Sequence, residues 1–247
     1  MVRFVFPEAR EWRYIIEGLA TIVDEANFLV GPEGIRLRAL DPGRVAMVDL
    51  FIPPSVFEEY KAEAEARIGV VLDDFVDIMK RAKSDDRLIV EVSGNRLSVV
   101  LSGKAERRFR LPLLDIAGQE LPTPRLNFTV AVKMLSDTLR DALKDAELVS
   151  ESVRLKAEND SLYMIARSDK GEVETRFSID TGSLLEIDVK EPAEASYAIE
   201  FLDKIVSKAY RVSEVVALKY ATNMPLELTF DVAGGGVLKY LLAPRVE

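Results

Sequence analysis

Carboxylates are the reactive groups this chain supplies in quantity. Asp and Glu number 42 against 33 Lys and Arg in 247 residues, and histidine and cysteine are both missing. Without an imidazole, the usual general base near neutral pH and every Ser-His or Cys-His nucleophile pair are excluded. Without a thiolate there is no disulfide framework and no thiolate metal site. Acid–base work by carboxylates alone remains the enzymatic alternative. The adjacent pairs are better explained otherwise: Asp73 or Asp74 as a helix cap and Asp85-Asp86 as a helix-end turn. No phosphate loop or paired-glycine nucleotide fingerprint is present, and Gly234-Gly235-Gly236 reads as a hairpin turn. The expectation is a protein that is not an enzyme and needs no cofactor or metal.

The second available chemistry is electrostatic binding. A net charge of −9 argues against a polyanionic partner, because affinity for nucleic acid comes mainly from Lys and Arg neutralising phosphates. What decides the matter is where the cations sit. Arg10, Arg13, Lys80, Arg81, Arg140, Lys144, Lys204, Lys208 and Arg211 all fall on or near the polar faces of four helical stretches. Faces turned to a common side would give an acidic protein a local basic lining. Glu17, Asp77, Asp137 and Asp141 lie among them, so ordinary solvated helix faces are the alternative.

The elements that must position these residues follow from periodicity. Trp12, Ile15, Ile16, Leu19, Ile22 and Val23 form the stripe of a helix expected to stop near Asn27. Gly31-Pro32-Glu33-Gly34 turns into strands 35–40 and 45–52, joined at Asp41-Pro42-Gly43. Phe75, Ile78, Met79 and Ala82 mark a second helix, with Asp77, Lys80, Arg81 and Ser84 on its polar side. Strands 87–93 and 96–101 turn at Gly94-Asn95, and 107–111 closes the half.

Residues 113–127 carry Gly118, Pro122 and Pro124 without periodicity and read as a linker between domains 1–112 and 128–247. Beyond it the programme repeats: a strand 128–132, a helix striped by Leu135, Leu139, Ala142 and Leu143, and strands 153–157, 162–167 and 172–179. A helix striped by Phe201, Leu202, Ile205, Val206 and Ala209 follows, then strands 215–220, 226–232 and 237–242. The string Gly34–Ala39 matches Ser152–Ala157 at an offset of 118, and Phe75 matches Phe201 at 126. An offset near half the chain with one element order indicates a duplicated α+β domain. No apolar run approaches the ~18–20 residues of a membrane span. Met1–Phe6 is too short for a signal-peptide core, so a cytoplasmic location is expected.

The run Gly34–Leu50 resembles the signature of the proliferating cell nuclear antigen (PCNA) family of DNA sliding clamps. Asp141–Ala146 with Leu148-Val149-Ser150, Met224-Pro225-Leu226 and the terminal Leu238–Glu247 are also similar to it, with details closer to archaeal members. The resemblance implies an α+β fold of two similar tandem domains of helices plus antiparallel sheet. Three subunits would form a ring whose helices line a hole for duplex DNA, bound without regard to sequence.

It also implies a groove for partner peptides, formed by Leu40, Arg44, Val45, Met47, Leu121, Pro124, Leu126, Pro225, Leu241, Ala243 and Pro244. Arg44 and Leu241 depart from residues common in the family. Implied partners are DNA polymerase, flap endonuclease, DNA ligase and a clamp loader, with no membrane; an archaeal chain would be nucleoid-associated. Edge strands bearing Arg107, Arg108 and Arg110 on one side and Glu172, Glu174 and Arg176 on the other would join subunits, as a homotrimer or with sister subunits. A clamp-like scaffold that binds peptides without encircling DNA is the competing expectation.

Overall fold

A computed structural model describes residues 2–116, 121–232 and 234–245. Gly118 of the expected linker, and Val246 and Glu247 of the terminal motif, lie outside the described residues. In chain order the first half contains β1 (Val2–Phe6), α1 (Ala9–Leu19), β2 (Glu25–Gly31), β3 (Gly34–Leu40), β4 (Ala46–Ile52), β5 (Glu59–Ala62), β6 (Ala66–Val71), α2 (Leu72–Met79), β7 (Arg87–Ser93), β8 (Arg96–Ser102) and β9 (Glu106–Pro112). The second contains β10 (Val130–Leu135), α3 (Ser136–Glu147), β11 (Ser152–Glu158), β12 (Ser161–Ser168), β13 (Gly171–Ser178), β14 (Leu184–Val189), β15 (Ala193–Ala198), α4 (Ile199–Ala209), β16 (Val215–Tyr220), β17 (Leu226–Val232) and β18 (Gly236–Leu242).

The chain forms two compact units, and the division is not a single cut. The first unit takes Met1–Pro42, Val48–Leu121 and Val232–Leu238; the second takes Gly43–Met47, Pro122–Asp231 and Lys239–Glu247. In the first, the strands run in the orders β5-β1-β7-β8-β9 and β4-β3-β2-β6. In the second, the orders are β14-β10-β16-β17-β18 and β13-β12-β11-β15. Each order is the other with its elements replaced one for one.

That correspondence corrects the alignment read from sequence strings. Glu25 and Ser152, Gly34 and Ser161, Ala66 and Ala193, and Leu72 and Ile199 begin equivalent elements, and each pair is 127 residues apart (152 − 25, 161 − 34, 193 − 66, 199 − 72). β11 is therefore the counterpart of β2, and the likeness of Gly34–Ala39 to Ser152–Ala157 is coincidental. Phe75 is equivalent to Leu202, not to Phe201, and Phe201 is only half-buried. Two strands with one inward-facing period of two look alike whichever pair is compared.

Helix α1 stops at Leu19, well short of Asn27. From Glu25 the burial alternates, with Ala26, Phe28 and Val30 inward, and β2 pairs with β6 from Glu25↔Val71 onward. A period-two stretch that adjoins a helical stripe looks like its continuation; pairing across the sheet decides it. Strands β1, β5, β6, β14 and β15 are likewise elements that the periodicity does not mark. Leu135, expected in the stripe of α3, instead ends β10 with its side chain exposed.

The helices share one unexpected device. None has a side-chain cap at its N-terminus. The first amide of each donates to a backbone carbonyl elsewhere in its unit: Ala9 to Asp86 at 2.9 Å, Leu72 to Asp24 at 2.8 Å, Ser136 to Glu214 at 2.8 Å and Ile199 to Glu151 at 3.0 Å. An orphan donor is thus satisfied by tertiary structure. Asp73 and Asp74 are not caps; they sit exposed in the first turn of α2, where a carboxylate complements the helix dipole.

The cores differ in chemistry. In the first unit Phe4, Phe6, Trp12, Phe57 and Tyr60 form one aromatic cluster with ring centroids 5.1–6.5 Å apart. The buried side chains of α3 and α4 are mainly aliphatic, and the buried aromatics of the second unit, Phe177, Tyr197, Tyr220, Phe230 and Tyr240, are on its strands.

Candidate nucleic-acid interface and partner surfaces

Packing fixes which side of each helix is free. α1 lies on α2, and α3 on α4. Each buries its apolar stripe, Trp12, Ile15, Ile16 and Leu19 in α1 and Leu139, Ala142, Leu143 and Ala146 in α3, which leaves the polar face to solvent.

In the first unit Arg10 is exposed. Arg13 is half-buried and its Nε donates to Glu17 Oε1, one turn away, at 2.7 Å; the Glu17 side chain is only 8 % exposed. Lys80 and Arg81 follow the last residue of α2, which is shorter than its sequence pattern suggests. Lys80 Nζ donates to Asp77 Oδ1 at 2.9 Å, and the Arg81 side chain is exposed.

In the second unit Lys144 and Lys208 are exposed in the last turns of α3 and α4, where a cation complements the helix dipole. Lys204 pairs with Glu200. The remaining two cations lie against one ring. Arg140 Cζ lies 4.4 Å and Arg211 Cζ 5.5 Å from the Tyr210 centroid. Arg211 Nε donates to Tyr210 Oη at 3.1 Å, and Arg140 also donates to Asp141 Oδ1 at 2.7 and 2.9 Å. The hydrogen bond from Arg211, with the positive charge of both guanidiniums, holds the Tyr210 phenol below its usual pKa. The bond to Asp141 raises that of Arg140.

The residues expected to take partner peptides fall in both units. In the second, Ala243 N–H donates to Val45 carbonyl at 2.8 Å, fastening the C-terminal segment to the signature loop, and Arg245 N–H donates to Ser196 carbonyl at 2.7 Å. Tyr197 Oη donates to Met224 carbonyl at 2.8 Å, which fixes the turn before Pro225; burial pushes the Tyr197 phenol pKa up. Arg44 is exposed with φ 56°, a left-handed conformation uncommon for a side-chain-bearing residue. Met47 and Leu241 are buried, Val45, Leu126, Pro225, Ala243 and Pro244 half-buried, and Pro124 exposed. Leu40 and Leu121 belong to the first unit, both half-buried. There Arg38 pairs with Asp49 and donates to the Leu121 carbonyl at 3.0 Å.

The two expected contact strands, β9 and β13, each end the strand order of their sheet. On β9, Arg107 pairs with Asp86, which is 2 % exposed, and donates to the Arg81 carbonyl at 2.8 Å. Arg108 meets Glu91 and Glu106 at 3.3 and 3.1 Å, and Arg110 is exposed. On β13, Glu172 pairs with Arg167 at 2.7 Å, Glu174 is exposed, and Arg176 donates to Ser161 Oγ at 3.0 and 3.1 Å.

Both halves of the chain match family models. Residues 1–117 match the N-terminal domain of proliferating cell nuclear antigen, and residues 123–245 its C-terminal domain. The chain belongs to the PCNA family. It is 72 % identical to a DNA polymerase sliding clamp of Thermofilum pendens over the full length of both chains. PCNA from Thermococcus kodakaraensis superposes with a TM-score of 0.95 at 34 % identity, covering 99 % of this chain and all of that one. A chain of the PCNA2–PCNA3 complex from Sulfolobus tokodaii gives 0.93 at 32 % identity, with 99 % and 100 % covered. The PCNA resemblance and the two-domain α+β fold read from the sequence are therefore correct.

Two features of this PCNA chain escaped the sequence reading. Tyr210 adjoins Arg211, but its other neighbour Arg140 is 70 residues away (210 − 140), and nothing local signals the stack. Asp86 reads as a turn residue, and only the fold buries it against Arg107. Among the described residues, no group of three or more acidic side chains could hold a metal, and no helix is long and apolar enough to cross a membrane.

Proposed function

We propose that this chain is one subunit of a trimeric ring that encircles duplex DNA and tethers DNA polymerase to it, with no turnover of its own. The observation that carries this reading is the placement of nine cations on or beside four repeated helices in a chain of net charge −9. Contacts from such faces reach phosphates, which position without reading sequence. Looseness favours sliding, because retention then comes from topology and not from affinity. The Thermofilum pendens relative, named a DNA polymerase sliding clamp, supports the polymerase as partner.

In this reading Leu40, Arg44, Val45, Met47, Leu121, Pro124, Leu126, Pro225, Leu241, Ala243 and Pro244 take the peptide anchors of polymerase, flap endonuclease, ligase and clamp loader. Residues 113–127 join domains 1–112 and 128–247. The open strands β9 and β13 close the ring by pairing head to tail, a way to cover edges that otherwise invite aggregation. Arg107, Arg108, Arg110, Glu172, Glu174 and Arg176 serve that contact, with Arg107, Arg108, Glu172 and Arg176 already held in place by bonds within the chain. Such a protein works where the chromosome is, beside the nucleoid.

The deciding experiment combines the solution mass with primer extension in the presence of a clamp loader. A mass three times 27.6 kDa, with longer extension products and no turnover, is expected. A protein that stays monomeric with every sister subunit, and leaves product length unchanged, overturns the reading. A heteromeric ring is the second reading, favoured by the Sulfolobus tokodaii PCNA2–PCNA3 complex; it predicts closure only with sister subunits.

A further inference from the structure

Arg13 and Arg140 occupy equivalent positions, 127 residues apart, on α1 and α3. Each donates to a carboxylate on its own helix, but the surroundings of the two pairs differ. Arg13 is tied to Glu17, a nearly buried carboxylate on its own helix, so the pair presents almost no net charge. Arg140 lies across a neutral ring from the neighbouring helix, with Arg211 on the same ring. A tyrosine face attracts a guanidinium through its quadrupole without cancelling its charge. Asp141 accepts from Arg140 but is itself largely exposed, and solvent screens that pair.

We propose that Tyr210 is a positioning residue that holds the guanidiniums of Arg140 and Arg211 as a two-cation anion contact, and that Arg13 makes no such contact. The proposal rests on the DNA reading above and deepens it: the backbone phosphate is gripped by the second unit at this stack and not at the equivalent place in the first. Two guanidiniums at one ring would repel each other if unsupported; the attraction of each to the ring and the Arg211 bond to Tyr210 Oη remove part of that cost. A phosphate can then accept from both. Such a contact is fixed in geometry, since each guanidinium loses rotamer freedom before the anion arrives.

The test is the salt dependence of binding to a short linear duplex, which can thread an assembled protein without a loader. The logarithm of the affinity falls with the logarithm of salt by about 0.9 per neutralised phosphate. Tyr210→Ala should lower that slope by about 1, as should Arg140→Ala, whereas Tyr210→Phe, which keeps the stacking face, should retain most of it. Glu17→Gln should do the reverse, freeing Arg13 and raising the slope by up to about 0.9. Tyr210→Leu serves as a second variant that fills the half-buried site without a π face, and thermal melting verifies folding.

A wild-type slope in Tyr210→Ala and Tyr210→Leu, alongside a reduced slope in Lys144→Ala/Lys208→Ala, overturns the positioning role while leaving the DNA reading intact. Wild-type protein whose binding does not respond to salt overturns both. A slope lost equally in Tyr210→Phe and Tyr210→Ala overturns the stacking argument and assigns the effect to the phenol oxygen.

Discussion

The two units are one design executed with different side chains, and the differences show what each position is for. Trp12 and Leu139 fill equivalent places in α1 and α3 (139 − 12 is again 127). Trp12 meets three of the four other rings of its aromatic cluster, and Leu139 belongs to an aliphatic layer. Gly69 on β6 and Ser196 on β15 are also equivalent, and each is crossed by a later segment. Gly69 bridges to Leu114 and Ser196 to Arg245. Both units thus cover the same edge strand at the same place, the first with the start of the linker and the second with the C-terminal segment. The fold constrains the backbone path, whereas core composition and surface charge are free to diverge once that path is fixed.

Core truncation should break the equivalence most. Trp12→Ala should cost about 4 kcal/mol and Leu139→Ala about 3 kcal/mol, and calorimetry should show the larger loss in the variant of the first unit. Equal losses would mean that the larger ring and its aromatic contacts add nothing over a leucine in the equivalent place.

The buried ion pair comes next. Arg107→Ala leaves Asp86 as a carboxylate 2 % exposed and should cost about 3 kcal/mol. Its counterpart in the second unit is Glu214, whose carbonyl also receives a helix amide but whose side chain is exposed. Glu214→Gln should change stability by less than about 0.5 kcal/mol in urea denaturation. A large effect there would show that the charge, not only the carbonyl, is used in both units.

At the crossing point a Cβ on Gly69 would come within 2.3 Å of the Leu114 carbonyl oxygen. Gly69→Ala should therefore cost about 2 kcal/mol and increase proteolysis near Leu114. Ser196→Ala, where a Cβ already fits, should leave proteolysis near Arg245 unchanged.

The smallest effect separates two phenols. Tyr60 donates to the Gly31 carbonyl at 2.7 Å, and desolvation pushes its pKa to about 12. Tyr210, bonded by Arg211, titrates below the usual 10. The folded state holds the Tyr60 proton more tightly than the unfolded one, so its contribution is complete below pH 10 and fades towards about 12. The Tyr210 contribution has the opposite sign and is gained as pH rises into the alkaline range. Ultraviolet titration of Tyr60→Phe and Tyr210→Phe against wild type should assign the late and the early phenol respectively; the reverse order would deny both environments.

Much of the fold was legible. The stripes of α1, α3 and α4, the hairpin around Gly94-Asn95, and the duplication follow from periodicity and turn chemistry. The missing strands were not legible because their signals are weak or overlap stronger ones. β2 runs on from a helical stripe, β5 is four residues long, and β14 and β15 lie among charged residues. Of the candidate DNA-facing residues, the sequence located all nine near helices. It could not say that Arg13 is bound to Glu17 while Arg140 stacks on Tyr210, since both arginines sit on the same kind of polar face.

Local composition determined the chemistry this protein lacks, the places where helices and turns form, and its kinship with the PCNA family. Those properties depend on residue type and spacing along a few turns of chain. Tertiary structure alone decided the register of the repeat, the carbonyls that receive each helix N-terminus, the burial of Asp86 and the partner of each arginine. Most of these depend on groups distant in sequence, such as Asp86 and Arg107 (107 − 86 = 21) or Arg140 and Tyr210 (210 − 140 = 70), and even a local pair such as Arg13 with Glu17 is one of several rotamers that only packing selects.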